Sequence, residues 1–169
     1  MAKLMVGSGL DTYIATLEQL AGPALDADMK RAIYEGAGVM MDAVKAEVNA
    51  LPVYSGFKRG TPENKIEGVS IAQKKGLMNG LGISRMRYDG DFLNAKIGAD
   101  GYNGIKTKRW PQGQPNAMVV RSLEAGTSFL KRSPVITRAV RKARAKTEKT
   151  MADAYDKALR QRLGGINNG

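Results

Sequence analysis

The side chains that most often carry catalysis are missing from this chain, which has no histidine and no cysteine. That removes Ser-His-Asp and Cys-His nucleophilic sets, disulfides, Cys-based zinc sites and the commonest metal ligand. What remains is scattered. Asp89 and Asp91 flank Gly90. Paired carboxylates at a turn can hold a cation, but two ligands do not make a site, and an ordinary Asp-Gly turn explains them. Gly80-Leu81-Gly82 lacks the third glycine and the strand-to-helix setting of a dinucleotide loop. Gly56 to Gly60 lacks the Gly-Lys-Ser/Thr ending of a phosphate loop. Ser8 lies between Gly7 and Gly9 with no imidazole to activate it. Asp and Glu remain as acid–base groups, yet no spacing singles any of them out. The expectation is a protein that is not an enzyme, with no catalytic, metal or cofactor site.

Charge is the stronger signal. The 169 residues carry 27 Lys and Arg against 16 Asp and Glu, a net +11. Residues 1–60 are net −1, residues 61–130 net +4 and residues 131–169 net +8. Eight bases stand between Lys131 and Lys149 with Glu148 as the sole acid. Such a run is either a solvated helix face or a surface that docks on something acidic. The candidate docking residues are Arg138, Arg141, Lys142, Arg144, Lys146 and Lys149. Lys106, Lys108 and Arg109 beside Trp110, the one tryptophan, form a second candidate contact. An aromatic in a basic loop can stack on bases, and it can equally fold onto the body.

The elements that must position these residues follow from periodicity. Leu10, Ile14 and Leu17, flanked by Tyr13 and Leu20, predict a short amphipathic helix stopped by Gly22-Pro23. A second helix begins near Asp26 or Asp28 and runs to Ala50, with Ile33, Ala37, Met40, Met41, Val44 and Val48 as its buried stripe. Gly36 and Gly38 inside it point to close helix packing. A third helix opens at Pro62-Glu63-Asn64 and reaches Lys75 or Met78, although Val69-Ser70-Ile71 also fits a strand. Leu81–Tyr88 alternates as a strand, Asp89-Gly90 turns, and Phe92–Ile97 returns, an antiparallel hairpin. Ala117–Ala125 fits a short helix or a buried strand. Ser133 as N-cap and Pro134 at N1 open a last helix to about Leu163. Its stripe is Ile136, Val140, Ala143, Thr147, Met151, Ala154, Tyr155, Ala158 and Leu159. At 1.5 Å per residue such a helix outruns a body of this size, so its far end should project or meet another subunit.

The predicted class is α+β: a small antiparallel β-sheet packed with helices and a long C-terminal helix. One domain spans 1–169. It comprises an N-terminal helical segment 1–24, a body 25–128 with loops 52–62 and 99–116, a basic helix 133–163 and a flexible tail 164–169. No secretory or membrane-spanning stretch is evident, so a soluble, cytoplasmic chain is expected.

One ordered set of residues goes further. Asn116 to Ser128 contains Glu124-Ala125-Gly126-Thr127, and Ser133-Pro134-Val135-Ile136-Thr137-Arg138-Ala139 follows. This resembles the C-terminal signature of the tail-completion, or head–tail joining, morphogenesis proteins of long-tailed bacteriophages. There a Glu-x-Gly-Thr turn precedes a Pro-Phe-(Leu/Ile)-(Arg)-Pro-Ala stretch that opens the last helix. Glu124, Gly126 and Thr127 match the first part, and Pro134, Ile136 and Ala139 the second. Val135 stands where Phe is usual and Arg138 where a second Pro is usual. Tyr54-Ser55-Gly56 and the run from Lys96 to Asn103 are similar to other segments of that family, so the likeness covers about residues 25–145.

The resemblance implies a structural protein of the virion, made in the host cytoplasm. It would form a homo-oligomeric ring at the head–tail interface, hexameric by preference and dodecameric as the variant. Its partners would be neighbouring connector, stopper and tail-tube or terminator proteins, and genomic double-stranded DNA passing without being read; no membrane is implied. Glu124 becomes a candidate partner for Arg138 or Arg141. The alternatives are a sequence-independent nucleic-acid-binding protein, or a tail terminator or head stopper ring.

Overall fold

The computed structural model describes residues 23–54, 60–90 and 92–166; the helix expected over Leu10–Leu20 lies outside them. Helix α1 spans Pro23–Asn49, with Asp26 in its first turn where the helix dipole favours an acid. Its inward stripe is Ala32, Ala37, Met41, Val44 and Val48, with Ile33 and Met40 half-buried. The last helix, named α4 below, spans Val135–Ile166. The two lie antiparallel. Glu47 faces Arg138 and Lys142 at one end, Gly36 faces Thr147 and Met151 midway, and Asp28 meets Arg162 at the other end.

The far end of the C-terminal helix therefore does not project alone, as its length suggested; α1 accompanies it as the other half of a two-helix arm. The expected boundaries 133–163 are also corrected, and of the expected tail 164–169, residues 164–166 belong to the helix while 167–169 lie outside the described residues. The helix starts at Val135 and continues through Gly164 to Ile166, because Gly164 keeps a helical backbone instead of the left-handed one that ends helices. Along its stripe, Ala139 is fully buried while Val140 is 39% exposed.

The third helix begins later than Pro62-Glu63-Asn64 suggests. Gly68 has φ 84°, and a Cβ there would lie 2.0 Å from the Pro52 carbonyl oxygen. This left-handed residue stops any helix from crossing position 68 and lets Val69 N donate to Pro52 O at 3.0 Å. The result is a two-residue parallel pair: β1 (Val53–Tyr54), inside the expected 52–62 loop, with β2 (Val69–Ser70), where Val69-Ser70-Ile71 also fits a strand. Helix α2 (Ile71–Gly80) starts from Ser70, whose Oγ accepts from Gln73 N while Gln73 Oε1 accepts from Ser70 N. Lys74 Nζ then donates to the Asn49 and Leu51 carbonyls at the end of α1.

The hairpin is present but interrupted. β3 (Leu81–Ile83) pairs antiparallel with β6 (Ile97–Ala99), and β4 (Arg87–Asp89) with β5 (Phe92–Asn94). Residues 84–86 oppose 95–96 between them, one residue more on the outgoing side, which is the signature of a bulge. Ser84 bridges the gap through Lys96 in both directions. Ala117–Ala125 resolves as a helix, α3 (Asn116–Ala125). The core gathers where these elements meet: Val44, Val48 and Leu51 of the α1 end, Val69, Leu77, Ala99, Val119, Leu123, Val135 and Ala139. The fold is α+β, with a small antiparallel sheet packed by helices and a long C-terminal helix.

Candidate functional site

The Glu-x-Gly-Thr segment folds into a device that launches α4. Glu124 lies in the last turn of α3. Gly126 follows with φ 73° and ψ 170°, a backbone essentially reserved for glycine, and donates its N–H to Ser122 O. Thr127 Oγ1 then accepts from the N–H groups of Phe129 and Leu130 at 3.1 and 3.0 Å, tightening the turn. Leu130 bridges to Ile66, with Ile66 N on Phe129 O and Lys131 N on Ile66 O. The chain returns to α3 as Ser133 N donates to Leu123 O and Arg132 Nε to Glu124 O.

The Glu124 carboxylate finishes the turn. Oε1 accepts from Ile136 N at 2.5 Å and Oε2 from the Thr137 hydroxyl at 2.8 Å. A carboxylate there satisfies an otherwise orphaned donor and sits at the positive end of the helix dipole. The expected pairing of Glu124 with Arg138 or Arg141 is corrected, since backbone and hydroxyl donors of α4 take both oxygens. Ser133 is likewise not the residue that caps α4; Glu124 does so from twelve residues upstream. Pro134 accepts from Arg138 N, Ile136 is half-buried and Ala139 is in the core. Of the six motif residues, Glu124 and Ile136 touch directly, and the other four lie in the turn and the first turns of α4 that this contact spans.

The six basic residues are not one free face. Arg138 Nε and Lys142 Nζ both bind Glu47, at 2.7 and 2.5 Å. Those two cations, Lys142 first, hold the Glu47 carboxyl below the usual carboxylate range. Glu47 is 7% exposed, so this is an interhelical clamp. Arg144 pairs with Glu148 and Lys149 with Asp153 one turn along, and the Glu148 bond raises the Arg144 guanidinium further. Arg141 and Lys146 are exposed without an ion pair among the described residues, as are Lys157 and Arg160 nearer the tip. Glu47 is the residue the sequence reading missed; an acid at the i+3 position between Val44 and Val48 on a buried stripe was the available sign.

Lys106, Lys108, Arg109 and Trp110 form a separate turn between β6 and α3. Thr107 and Trp110 exchange backbone hydrogen bonds, Trp110 is half-buried, and Arg109 lies 5.4 Å from its ring. A groove of about 500 Å³ opens beside the α4 launch, floored by Ile66, Val69, Val119 and Leu130. Gln73 links its rim, accepting from Tyr54 OH and donating to Gln114 Oε1. Burial pushes the Tyr54 phenol up. Among the described residues no charged side chain lines this groove, and its lining offers amides, hydroxyls and apolar contact. Among the described residues, no group of three His, Cys, Asp or Glu is placed to hold a metal, and no helix is long and apolar enough to cross a membrane.

No known protein family, curated protein or solved structure matches this chain.

Proposed function

We propose that this chain is a structural protein of a long-tailed phage neck, forming a ring at the head–tail interface that completes the tail and joins it to the head. The observation that carries the reading is the α4 launch. Of the residues that resemble the family signature, Glu124 accepts from Ile136 N, Gly126 and Thr127 shape the turn that leads there, and Pro134 and Ala139 lie at the start of α4. By the same resemblance the ring is six-fold, with twelve-fold as the variant, and the reading assigns no enzymatic role. Arg141, Lys146, Lys157 and Arg160 supply exposed charge for acidic faces of neighbouring connector, stopper or tail-tube and terminator rings. Duplex DNA in the channel meets this charge without sequence readout.

The test is electron microscopy of particles from the encoding phage with the gene deleted. DNA-filled heads beside separate tails of normal length are expected. Tails of uncontrolled length would assign a terminator, emptied heads a stopper, and intact infectious virions would overturn the reading. The exposed cations of α4 favour one rival, a sequence-independent nucleic-acid binder. That rival requires the purified protein to bind free duplex DNA with affinity falling steeply as salt rises.

A further inference from the structure

The bulge in the hairpin gathers charge on one face. A regular strand alternates faces, so Ser84 and Arg87, three residues apart, would point to opposite sides. Their partners Lys96 and Asn94 are two residues apart and share a side. The extra residue at 84–86 reconciles the two strands and sets all four side chains on one face. With Arg85 they line a cavity of about 330 Å³. Arg85, Arg87 and Lys96 are exposed, and none has an ion pair among the described residues. Asp89 is the one acid among the described lining residues. Asp26, which accepts from Tyr88, is already paired with Lys30. With Asp91 counted from the sequence, residues 84–96 still hold three bases to two acids. Three other cavities carry no surplus of cations among the described residues. The groove beside the α4 launch has no charge, a cleft on α2 sets Lys75 against Asp100, and one on α4 balances two acids with two bases.

Two residues beyond the Arg87–Asn94 pair, on the same face, Asp89 opposes Phe92. Phe92 is 78% exposed, the most open large apolar side chain among the described residues. Tyr88, between the two pairs, turns to the other face and donates to Asp26 of α1. The cationic face therefore looks away from α1. Two guanidinium forks and an ammonium, beside a hydroxyl and an amide, match the oxygens of a phosphate. An open aromatic ring in line with them matches a base, which presents a flat face whatever the sequence; an acidic protein surface has no need of it. We infer that this face binds a single nucleic-acid strand without reading its sequence, with Arg85, Arg87 and Lys96 on backbone phosphates and Phe92 stacked on a base. A duplex keeps its bases stacked inside and leaves Phe92 without a partner. The assignment rests on neither reading above, since it uses no cation of α4 and needs no ring.

Fluorescence anisotropy of a labelled oligothymidylate of about 12 nucleotides, titrated with the full chain, tests it. The parent binds, and its affinity falls as salt rises from about 50 to 200 mM. Arg87→Ala with Lys96→Ala weakens binding about tenfold and lowers the slope of log affinity on log salt by about 1.4, the loss of two phosphate contacts. Phe92→Ala weakens the single strand about tenfold and leaves a duplex of equal length within about twofold. Lys45→Ala with Lys65→Ala, two exposed cations elsewhere, removes the same charge and stays within about threefold of the parent. Inorganic phosphate at matched phosphate concentration and ionic strength leaves the strand bound. Equal losses in the two charge pairs would overturn the inference by tying binding to net charge alone. An unchanged Phe92→Ala would overturn it by removing the stacked base, and displacement by inorganic phosphate by making this a free-phosphate site. A parent that binds no strand at about 50 mM salt would overturn it outright and leave an acidic protein as the partner of this face.

Discussion

Glu124 does for α4 what a Ser or Asp usually does from the N-cap itself. Its carboxylate reaches from the preceding helix to Ile136 N and the Thr137 hydroxyl, so α3 and the start of α4 are locked at a fixed angle. Glu124→Ala should cost about 1–2 kcal/mol, read as a lowered denaturant midpoint with unchanged slope, and Glu124→Gln, which keeps one acceptor, should lose less. Glu47 is the second residue whose charge matters. Its folded carboxyl lies below the ordinary range, so the ionised form is favoured by folding. That stability is present at neutral pH and is lost as pH falls through the carboxylate range. Glu47→Gln should cost about 1–2 kcal/mol at neutral pH, at the low end because Arg138 and Lys142 reach solvent. The difference from the parent should shrink as pH drops below about 4.3, and thermal melts across that range would measure it.

Two glycines two residues apart in α1 have opposite meanings. A Cβ on Gly36 would lie 2.3 Å from Met151 Cγ and 3.2 Å from the Thr147 carbonyl, whereas one on Gly38 meets nothing within 4 Å. Gly36→Val should therefore spread α1 from α4 and cost about 1–3 kcal/mol. Gly38→Ala should stabilise by about 1 kcal/mol through helix propensity. Opposite shifts in melting temperature would establish that only Gly36 is there for close packing. Sequence periodicity showed both glycines and both long helices, because α1 and α4 are amphipathic over many turns. It placed the start of α2 at Pro62 because the deciding contact, Gly68 on Pro52, joins parts of the chain that no local pattern links. The Asp89-Gly90 turn was legible; the extra residue at 84–86 was not, since alternation reads straight through it. The importance of Glu124 was visible, but not its partner, which is a backbone amide with no side-chain signature.

At the scale of the molecule, the core is concentrated at one end. Its α4 members are Val135 and Ala139, while Met151, Ala154, Tyr155, Ala158 and Leu159 farther along are half-buried. Hydrogen exchange should follow that gradient. Amides of residues 136–143 should exchange roughly tenfold or more slowly than those of residues 154–163, and equal rates would refute an arm less stable than the body.

The same pairing has a consequence for how each copy is born. Arg138 lies 91 positions after Glu47, and Arg162 lies 134 after Asp28. At about 5–20 residues per second on the ribosome, α1 waits many seconds with Met41, Val44 and Val48 still wet until its mate is made. The fold is sealed only once α4 has been made. A copy cut short before α4 lacks Val135 and Ala139 of the core, so such chains are left with exposed apolar surface for proteases and chaperones to find.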